Sequence, residues 1–212
     1  MEYEVRFYYN TKELNDILEK FRNISDLKEL PRTYEKTTQY NHCDNRFNFY
    51  SEEIDGRFRL RVSKNDNETK CMLSWKRRLK STCDSEVNKK EEKEVRINPS
   101  DIDNFIFIIN NVMHFTIVES YERYRTVFVN DYVEVAVDEY PFGICVEIEN
   151  KSDCDNPEEV VKYWVKQVGF DINDAYRLSW DDKYLELCEK QNIERFNEVT
   201  FDKVMPEVKD KE

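Results

Sequence analysis

The chain has 212 residues, of which 39% are apolar and 37% are charged, and its formal net charge is −12. A chain of this length is most simply one domain with a substantial core. Its acidic balance argues against a broad groove for long nucleic acid, because such a groove needs a basic surface to displace counterions. With only three glycines, a glycine-rich phosphate loop is nearly excluded, so any phosphate site must be built from side chains.

The sequence carries no signal for a membrane or for secretion. It has no run of about 18 apolar residues, and its first residues, MEYEVRFYYN, include no apolar signal region. We therefore expect a cytoplasmic protein that does not insert into a membrane. The six cysteines form no C-x-x-C pair, and in a reducing compartment we expect them to be structural thiols.

Segments in which polar and apolar residues alternate recur along the chain and predict strands. In chain order these cover residues 2–9, 33–41, 46–51, 57–63, 70–78, 90–97, 116–129, 132–138 and 144–149. Helical spacing predicts four helices, over residues 14–21, 102–109, 157–168 and 180–191. We expect one domain over residues 1–195, followed by an acidic, flexible tail over residues 196–212.

The polar faces of the predicted strands carry unusually ordered charge. Side chains two residues apart share a face of a strand, so each of several strands presents a row of acids or bases opposite a row of apolar residues. One such strand is best explained by a solvated sheet face. Six such strands favour a closed antiparallel β-barrel in a mainly β, α+β fold, with the charged rows in the lumen and amphipathic helices covering the apolar exterior.

The acidic rows indicate a divalent cation. Glu2 and Glu4 form one pair, Glu147 and Glu149 form another, and Asp138 joins them. Carboxylate oxygens are the ligands that Mg²⁺ and Mn²⁺ prefer, so one of these is the expected cofactor. Zinc is disfavoured because the two histidines, at positions 42 and 114, have no spaced partner.

The basic rows indicate a ligand with several phosphates. Guanidinium groups bind phosphate oxygens in a bidentate way, and lysine adds a point charge. A ladder of ion pairs that neutralises itself is the alternative, although burying so many charges without a ligand is costly. The basic set comprises Arg6, Arg57, Arg59, Arg61, Lys76, Arg78, Arg123 and Arg125.

Five stretches occur in a fixed order: EYEVR at 2–6, RLR at 59–61, LSWK at 73–76, ERYR at 122–125, and VEVAVDEYPFG at 133–143 with VEIE at 146–149. Over residues 2–190 this set resembles the motifs of the CYTH domains, also called triphosphate tunnel metalloenzymes. The resemblance implies an eight-stranded antiparallel tunnel, dependence on Mg²⁺ or Mn²⁺, and a substrate with a triphosphate group. It departs from the family pattern at Arg6, where the signature has a lysine. Arginine retains the charge but is not easily deprotonated.

The resemblance also implies roles for individual residues. The metal or the attacking water would be held by Glu2, Glu4, Asp138, Glu147 and Glu149. The phosphates would be bound by Arg6, Arg59, Arg61, Lys76, Arg123 and Arg125. Arg57, Arg78, Glu92 and Glu94 match the pattern less closely, and Arg177 or Lys183 could supply the basic residue of the C-terminal helix. The expected catalytic residues are Glu4, Glu147, Arg6 and Lys76.

Three functions remain open at this point. The first is a metal-dependent hydrolase of inorganic triphosphate, a nucleoside triphosphate or thiamine triphosphate. The second is a nucleotidyl cyclase of the class IV adenylate cyclase kind, which would release pyrophosphate. The third is a module that binds a triphosphate or an RNA 5′ end without catalysis. The expected partner is a small-molecule triphosphate rather than long nucleic acid or a membrane, and the pattern leaves a homodimer open.

Overall fold

The computed structural model describes residues 1–50, 55–79 and 87–209. Its strands are β1 (Glu2–Tyr9), β2 (Lys28–Glu29), β3 (Thr33–Asn41), β4 (Gly56–Lys64), β5 (Thr69–Arg78), β6 (Asn88–Ile97), β7 (Thr116–Val129), β8 (Val133–Tyr140), β9 (Gly143–Asn150) and β10 (Glu198–Val199). The helices are α1 (Leu14–Arg22), α2 (Ile102–Phe107), α3 (Pro157–Gln167) and α4 (Trp180–Gln191). Among the described residues, none of these helices has both the length and the apolar character needed to cross a membrane.

Eight of the strands close into an antiparallel barrel. Neighbours follow the order β7, β3, β4, β5, β6, β1, β9 and β8, and β8 pairs back with β7. The two-residue strands β2 and β10 attach to the long strand β7 outside this circuit. The predicted closed eight-stranded β-barrel with covering helices is therefore confirmed.

The strand register places the charged rows on one common face. Glu4 lies opposite Glu149, and Arg6 lies opposite Glu147. On the other side of the barrel, Arg57 lies opposite Lys76. Because side chains alternate along every strand, matching rows in register must all point into the lumen.

The apolar rows lie outside the barrel, beneath the helices. Val5, Phe7 and Val146 are buried against α1 and α3, in a cluster that includes Phe21 and Trp164. A second cluster, centred on Tyr40, Leu60 and Ile109, packs beneath α2 and the π-helical turn Ile108–Val112. This arrangement buries the outer side of most strands, with exceptions such as Val95 on β6, which is 61% exposed. It explains why a barrel with a polar interior still has a hydrophobic core.

The described end of the chain packs against the barrel and is not a flexible tail. Val199 pairs with β7, and Met205 and Val208 are buried beside α4. The Val208 backbone N–H also donates to the Phe142 carbonyl over 2.8 Å. The prediction of a solvated tail over residues 196–212 is thus wrong for residues 196–209, because apolar residues spaced among the charges give the segment a buried side. Residues 210–212 lie outside the described part.

The predicted strand over residues 46–51 is also wrong where the structure describes it. Residues Asn45–Phe47 form a 3₁₀ turn, in which the Asp44 side chain accepts from the Arg46 backbone N–H over 2.9 Å. The aromatic residues of this segment pack on His42. Their alternation therefore reflects a small aromatic cluster rather than a strand, and Ser51 falls outside the described residues.

Candidate active site

A cavity of about 320 Å³ occupies the lumen of the barrel, at the low end of the roughly 300–1,000 Å³ typical of small-molecule sites. Among the described residues, ten basic and eight acidic side chains line it. The cavity is therefore mostly polar, in contrast to most ligand pockets. The charged residues that line it are Glu2, Glu4, Arg6, Asp55, Arg57, Arg59, Arg61, Lys76, Arg78, Lys90, Glu92, Glu94, Arg123, Arg125, Glu134, Glu147, Glu149 and Lys151.

One wall of the lumen carries only basic charges among the described residues, while the strands around the rest of the lumen carry both acids and bases. Three strands lie between β4 and β9 in either direction around the barrel, so β4 and β9 face one another. Among the described residues that line the cavity, β4, β5 and β7 contribute only basic charges, while the acids of β1 and β9 lie across from them. The basic wall consists of Arg57, Arg59, Arg61, Lys76, Arg78, Arg123 and Arg125.

Two acids of the opposite wall are held ionised by neighbouring cations. Glu147 contacts Arg6 and Arg125, each over 2.9 Å. Burial and the nearby Glu4 would raise the pKa of Glu147, but the two guanidinium groups lower it to about 2. Glu4 contacts Arg6 and Lys90. Burial opposes its ionisation as well, yet these cations hold the pKa of Glu4 well below its usual range.

The other two acids of this wall are harder to ionise. Burial and the nearby Glu4 raise the pKa of Glu2 to about 8, although Lys76 donates to its Oε1 over 2.6 Å. Glu2 Oε2 is buried and has no partner among the described residues. Burial also raises the pKa of Glu149, against the opposing effect of Lys151 at 2.8 Å. Repulsion within this cluster of carboxylates is thus only partly relieved by the protein itself.

Asp138 holds arginines in place rather than facing the cavity. It is fully buried and is not among the residues that line the lumen cavity. Its Oδ1 accepts from Arg125 Nε and its Oδ2 from Arg123 Nη1, each over 2.6 Å. Arg123 is held from its other side by Glu35 at 2.8 Å. Both oxygens of Asp138 are occupied, so the predicted role of Asp138 as a metal ligand is corrected to that of a positioning residue.

Arg59 is the one residue of the β4 row that no described residue neutralises. Only 8% of its surface is exposed, and its Nε is buried without a partner. Its neighbour Arg61 reaches Thr37 at 3.4 Å and Glu35 at 3.7 Å. Burial would raise the pKa of the Tyr121 hydroxyl, but Arg59, Arg123 and Arg61 lower it to about 8. This part of the lumen therefore carries excess positive charge.

No family model and no curated protein matches the sequence, but solved structures share its fold. PH1819 from Pyrococcus horikoshii OT3 matches with a TM-score of 0.68 at 23% identity, over 88% of this chain and 99% of that one. HpAC1 from Hippeastrum matches with a TM-score of 0.57 at 16% identity, over 94% of this chain and 100% of that one. It is described as an adenylyl cyclase candidate with a dominant triphosphatase activity. An adenylate cyclase candidate from Vibrio parahaemolyticus matches with a TM-score of 0.61 at 13% sequence identity, and the match covers 85% of this chain and 96% of that one.

The chain has the triphosphate tunnel fold. This finding agrees with the resemblance carried by the ordered sequence motifs. At these identities the similarity concerns the fold alone.

Three carboxylates of the tunnel fit a divalent cation. Glu2, Glu4 and Glu149 are close enough that Glu4 raises the pKa of both of the others. Glu2 Oε2 is also left without a partner. Glu147 fits less well, since Arg6 and Arg125 occupy its two oxygens. In the described ranges no three His, Cys, Asp or Glu side chains already meet in a metal-binding arrangement, so the fit rests on the hard oxygen donors and the orphaned oxygen of Glu2.

The helix α4 covers one end of the tunnel without supplying a cation to it. Its first residue, Trp180, packs on Tyr121 with ring centroids 4.3 Å apart, and it lines the cavity. Arg177 is exposed, and Lys183 lies over the ring of Tyr176 at 4.9 Å. Neither lines the tunnel cavity, which corrects their predicted role in phosphate binding.

Several lining residues were not predicted as site residues. Lys90 lies opposite Glu2 and contacts Glu4. Its position two residues before Glu92 could have identified it, because the inward row of β6 continues through it. Lys151 similarly continues the row of Glu147 and Glu149 beyond the end of β9. Tyr121 shares the inward face of β7 with Arg123 and Arg125, so alternation placed it in the lumen without giving it a role. Nothing in the local sequence identifies Trp180, which meets Tyr121 only when α4 closes the tunnel.

Proposed function

We propose that the protein hydrolyses a small molecule with a triphosphate group inside the tunnel, with Mg²⁺ or Mn²⁺ as cofactor. The observation that carries this proposal is Arg59, a buried guanidinium in the cavity with no ion pair or hydrogen bond to any described residue. A buried charge without a partner is costly. Phosphate oxygens match the guanidinium fork in charge and geometry. The phosphate chain would lie along Arg57, Arg59 and Arg61.

A ladder of ion pairs that neutralises itself is the competing explanation for the charged lumen. It accounts for Arg6, Arg123 and Arg125, because each of these contacts a buried carboxylate at hydrogen-bond distance. It does not account for Arg59. Such a ladder would also place both signs on every wall, whereas among the described residues that line the cavity β4, β5 and β7 contribute only bases. A polyanion between the walls explains both features.

Hydrolysis of the terminal phosphoryl group requires charge neutralisation and a positioned water molecule. Arg123 and Arg125, which Asp138 holds in place, would stabilise charge at the transferred phosphoryl group, with Lys76 and Arg6 on either side. Glu2, Glu4 and Glu149 would hold the cation, which when bound would neutralise further charge on the phosphate oxygens. Glu4 would orient the attacking water, and Glu147 would hold Arg6 and Arg125 in position for the phosphates.

The activity is tested with four substrates: inorganic triphosphate, ATP, GTP and thiamine triphosphate. Each is incubated with Mg²⁺, with Mn²⁺ or with EDTA, and orthophosphate is resolved from pyrophosphate. We expect orthophosphate, and only with the cation. Pyrophosphate together with a cyclic nucleotide would instead identify a cyclase. Binding without any product would identify a module that only captures the triphosphate.

Matched variants connect the activity to the tunnel. Glu4→Gln and Glu147→Gln should each reduce turnover by about 100-fold or more, since they remove charges that orient the catalytic groups. Glu159→Gln on α3, a side chain that is 72% exposed, is the control and should behave as the wild type. Circular dichroism checks that each variant is folded. Near-normal turnover in both tunnel variants would refute the assignment.

A further inference from the structure

A second cavity continues the tunnel beyond Arg57, at the end covered by α4. It has a volume of about 290 Å³, and Arg57 lines both it and the lumen cavity. We call it the α4 chamber and define it by Gln39, Phe49, Tyr50, Glu119, Asp181 and Arg195. In its position along the barrel it is the next compartment after the row of arginines.

The register of the strands connects the chamber directly to Arg59. Gln39 lies opposite Arg59 on β4 and opposite Glu119 on β7. Residues directly opposite one another on neighbouring strands have Cβ atoms about 5 Å apart. A phosphate bound by Arg59 would therefore lie next to Gln39 and Glu119. Whatever group is attached to that phosphate can enter the chamber.

The chamber contains buried acceptor atoms that no described residue satisfies. They are Gln39 Oε1, Glu119 Oε1 and Asp181 Oδ1. Gln39 is 7% exposed and Glu119 is 6% exposed, so neither side chain is a surface group. A buried polar atom without a partner is unfavourable. Three such acceptors around one cavity indicate a ligand that donates hydrogen bonds.

Aromatic side chains give the chamber a wall suited to a flat ring. Phe49 and Tyr50 both line it. The guanidinium of Arg57 lies over the Tyr50 ring at 5.1 Å from its centroid, which keeps Arg57 at the boundary between the two cavities. Arg195 approaches Glu119 Oε2 at 3.8 Å, on the side away from the unsatisfied Oε1.

We propose that the α4 chamber binds an amino-substituted heteroaromatic ring attached to the triphosphate, with Gln39 and Glu119 each accepting one hydrogen bond from its amino group. The proposal rests on the proposed function, because it requires the phosphates to lie at Arg57 and Arg59. An adenine nucleotide and thiamine triphosphate both carry such a ring. Inorganic triphosphate carries none, and the base of ITP has a carbonyl in place of the amino group of ATP.

Equilibrium binding in EDTA, where a metal-dependent enzyme does not turn over, tests the chamber separately from the chemistry. Burial and the charge of Asp181 raise the pKa of Glu119 to about 7, so the titrations are made well above that pH, where Glu119 only accepts. ATP should bind at least about tenfold more tightly than ITP, which corresponds to one lost hydrogen bond to a charged group. Thiamine triphosphate, titrated in parallel, shows which of the two rings fits better.

Glu119→Gln should reduce the preference for ATP over ITP to less than about twofold, because the amide can donate to the ITP carbonyl. Glu122→Gln, the same substitution on the outward face of β7, should retain the wild-type preference. Gln39→Leu is a second chamber variant and should weaken the binding of ATP but not of inorganic triphosphate.

Two results would overturn the proposal of a ring site, and they differ in whether the proposed hydrolysis also fails. If the wild type binds inorganic triphosphate but distinguishes ATP from ITP by less than about twofold, the chamber is not a ring site and the proposed hydrolysis is unaffected. If no triphosphate compound binds at all, both proposals fail. Retention of the wild-type preference in folded Glu119→Gln and Gln39→Leu would also refute the assignment of these residues.

Discussion

The arginines of the lumen differ in whether the described part of the protein provides them with an ion-pair partner. Arg123 and Arg125 are satisfied by buried carboxylates at distances of 2.6 Å. Arg59 is equally buried and has no such partner among the described residues. A paired charge contributes to the fold, whereas an unpaired one costs stability and is available to a ligand. The two kinds of arginine should therefore respond oppositely to substitution.

Arg59→Met should weaken triphosphate binding by about 10- to 100-fold, the effect of one or two charge-assisted hydrogen bonds. Its thermal stability should equal or exceed that of the wild type, because the variant removes an uncompensated buried charge. Arg123→Met is the matched control and should lower the free energy of unfolding by about 3–5 kcal/mol, since it breaks a buried ion-pair network and leaves Asp138 with Arg125 and Glu35 with Arg61 as their remaining cations. Calorimetric titration with inorganic triphosphate and thermal unfolding measure the two effects. A destabilised Arg59→Met with unchanged affinity would contradict this distinction.

Asp138→Asn tests whether this carboxylate positions arginines or binds metal. Loss of the charge between Arg123 and Arg125 should destabilise the protein by about 3–5 kcal/mol. If Asp138 acts through the arginines, the loss is the same in EDTA and in Mg²⁺, as measured by denaturant unfolding. A loss that appears only with the cation would restore Asp138 as a metal ligand.

At the scale of residues, the sequence predicts which side chains enter the lumen but not what they contact. The alternation along β1, β4, β7 and β9 correctly placed the acidic and basic rows, because a two-residue period fixes the face of a strand. Asp138 shares that face with Glu134, so its sequence position could not show that two arginines enclose it. Whether a side chain on the lumen face is enclosed by its neighbours or reaches the cavity depends on the register between strands, which the sequence of one strand does not determine.

At the scale of elements, the segments with a regular period were predicted correctly, and the segments without one were not. All eight barrel strands and the four helices were predicted close to their observed bounds. The turn after β3 and the segment after residue 195 were misjudged. In both, isolated aromatic or apolar residues pack onto distant parts of the chain, so their role depends on tertiary contacts and not on a local period.

The segment after residue 195 offers a direct test, because two valines four residues apart differ in burial. Val208 is 7% exposed, and Val204 is 82% exposed. Val208→Ala should lower the free energy of unfolding by about 1–3 kcal/mol, from the lost methyl groups and the cavity left behind. Val204→Ala should change it by less than about 0.5 kcal/mol. Equal effects in chemical unfolding would mean that the segment is not packed as described.

At the scale of the whole molecule, the usual distribution of polarity is inverted. The charged rows lie inside, the apolar rows lie outside beneath helices, and a chain of net charge −12 surrounds a basic wall. The fold tolerates this only because most lumen charges are paired. Acids whose pKa values are shifted in the folded protein make stability depend on pH, with opposite signs for different acids.

Glu119 should reduce stability as the pH rises. Its pKa in the folded protein is about 7 and its ordinary value is 4.5, so the folded state retains a proton that the unfolded chain loses. This contribution is fully present below pH 4.5 and is lost as the pH rises through 7. Glu2, with a pKa of about 8, acts with the same sign. Glu147, with a pKa of about 2, acts with the opposite sign, and its stabilisation is lost in acid.

Glu119→Gln should therefore be more stable than the wild type at alkaline pH, relative to their difference near pH 4.5, by on the order of 1–3 kcal/mol. Denaturant unfolding of both proteins at each pH measures this change, and Glu122→Gln on the outward face of β7 serves as the control. The residual decline of the variant at high pH should come mainly from Glu2. A difference between variant and wild type that does not change with pH would mean that Glu119 is already ionised in the folded protein, as it would be if a cation occupied the α4 chamber.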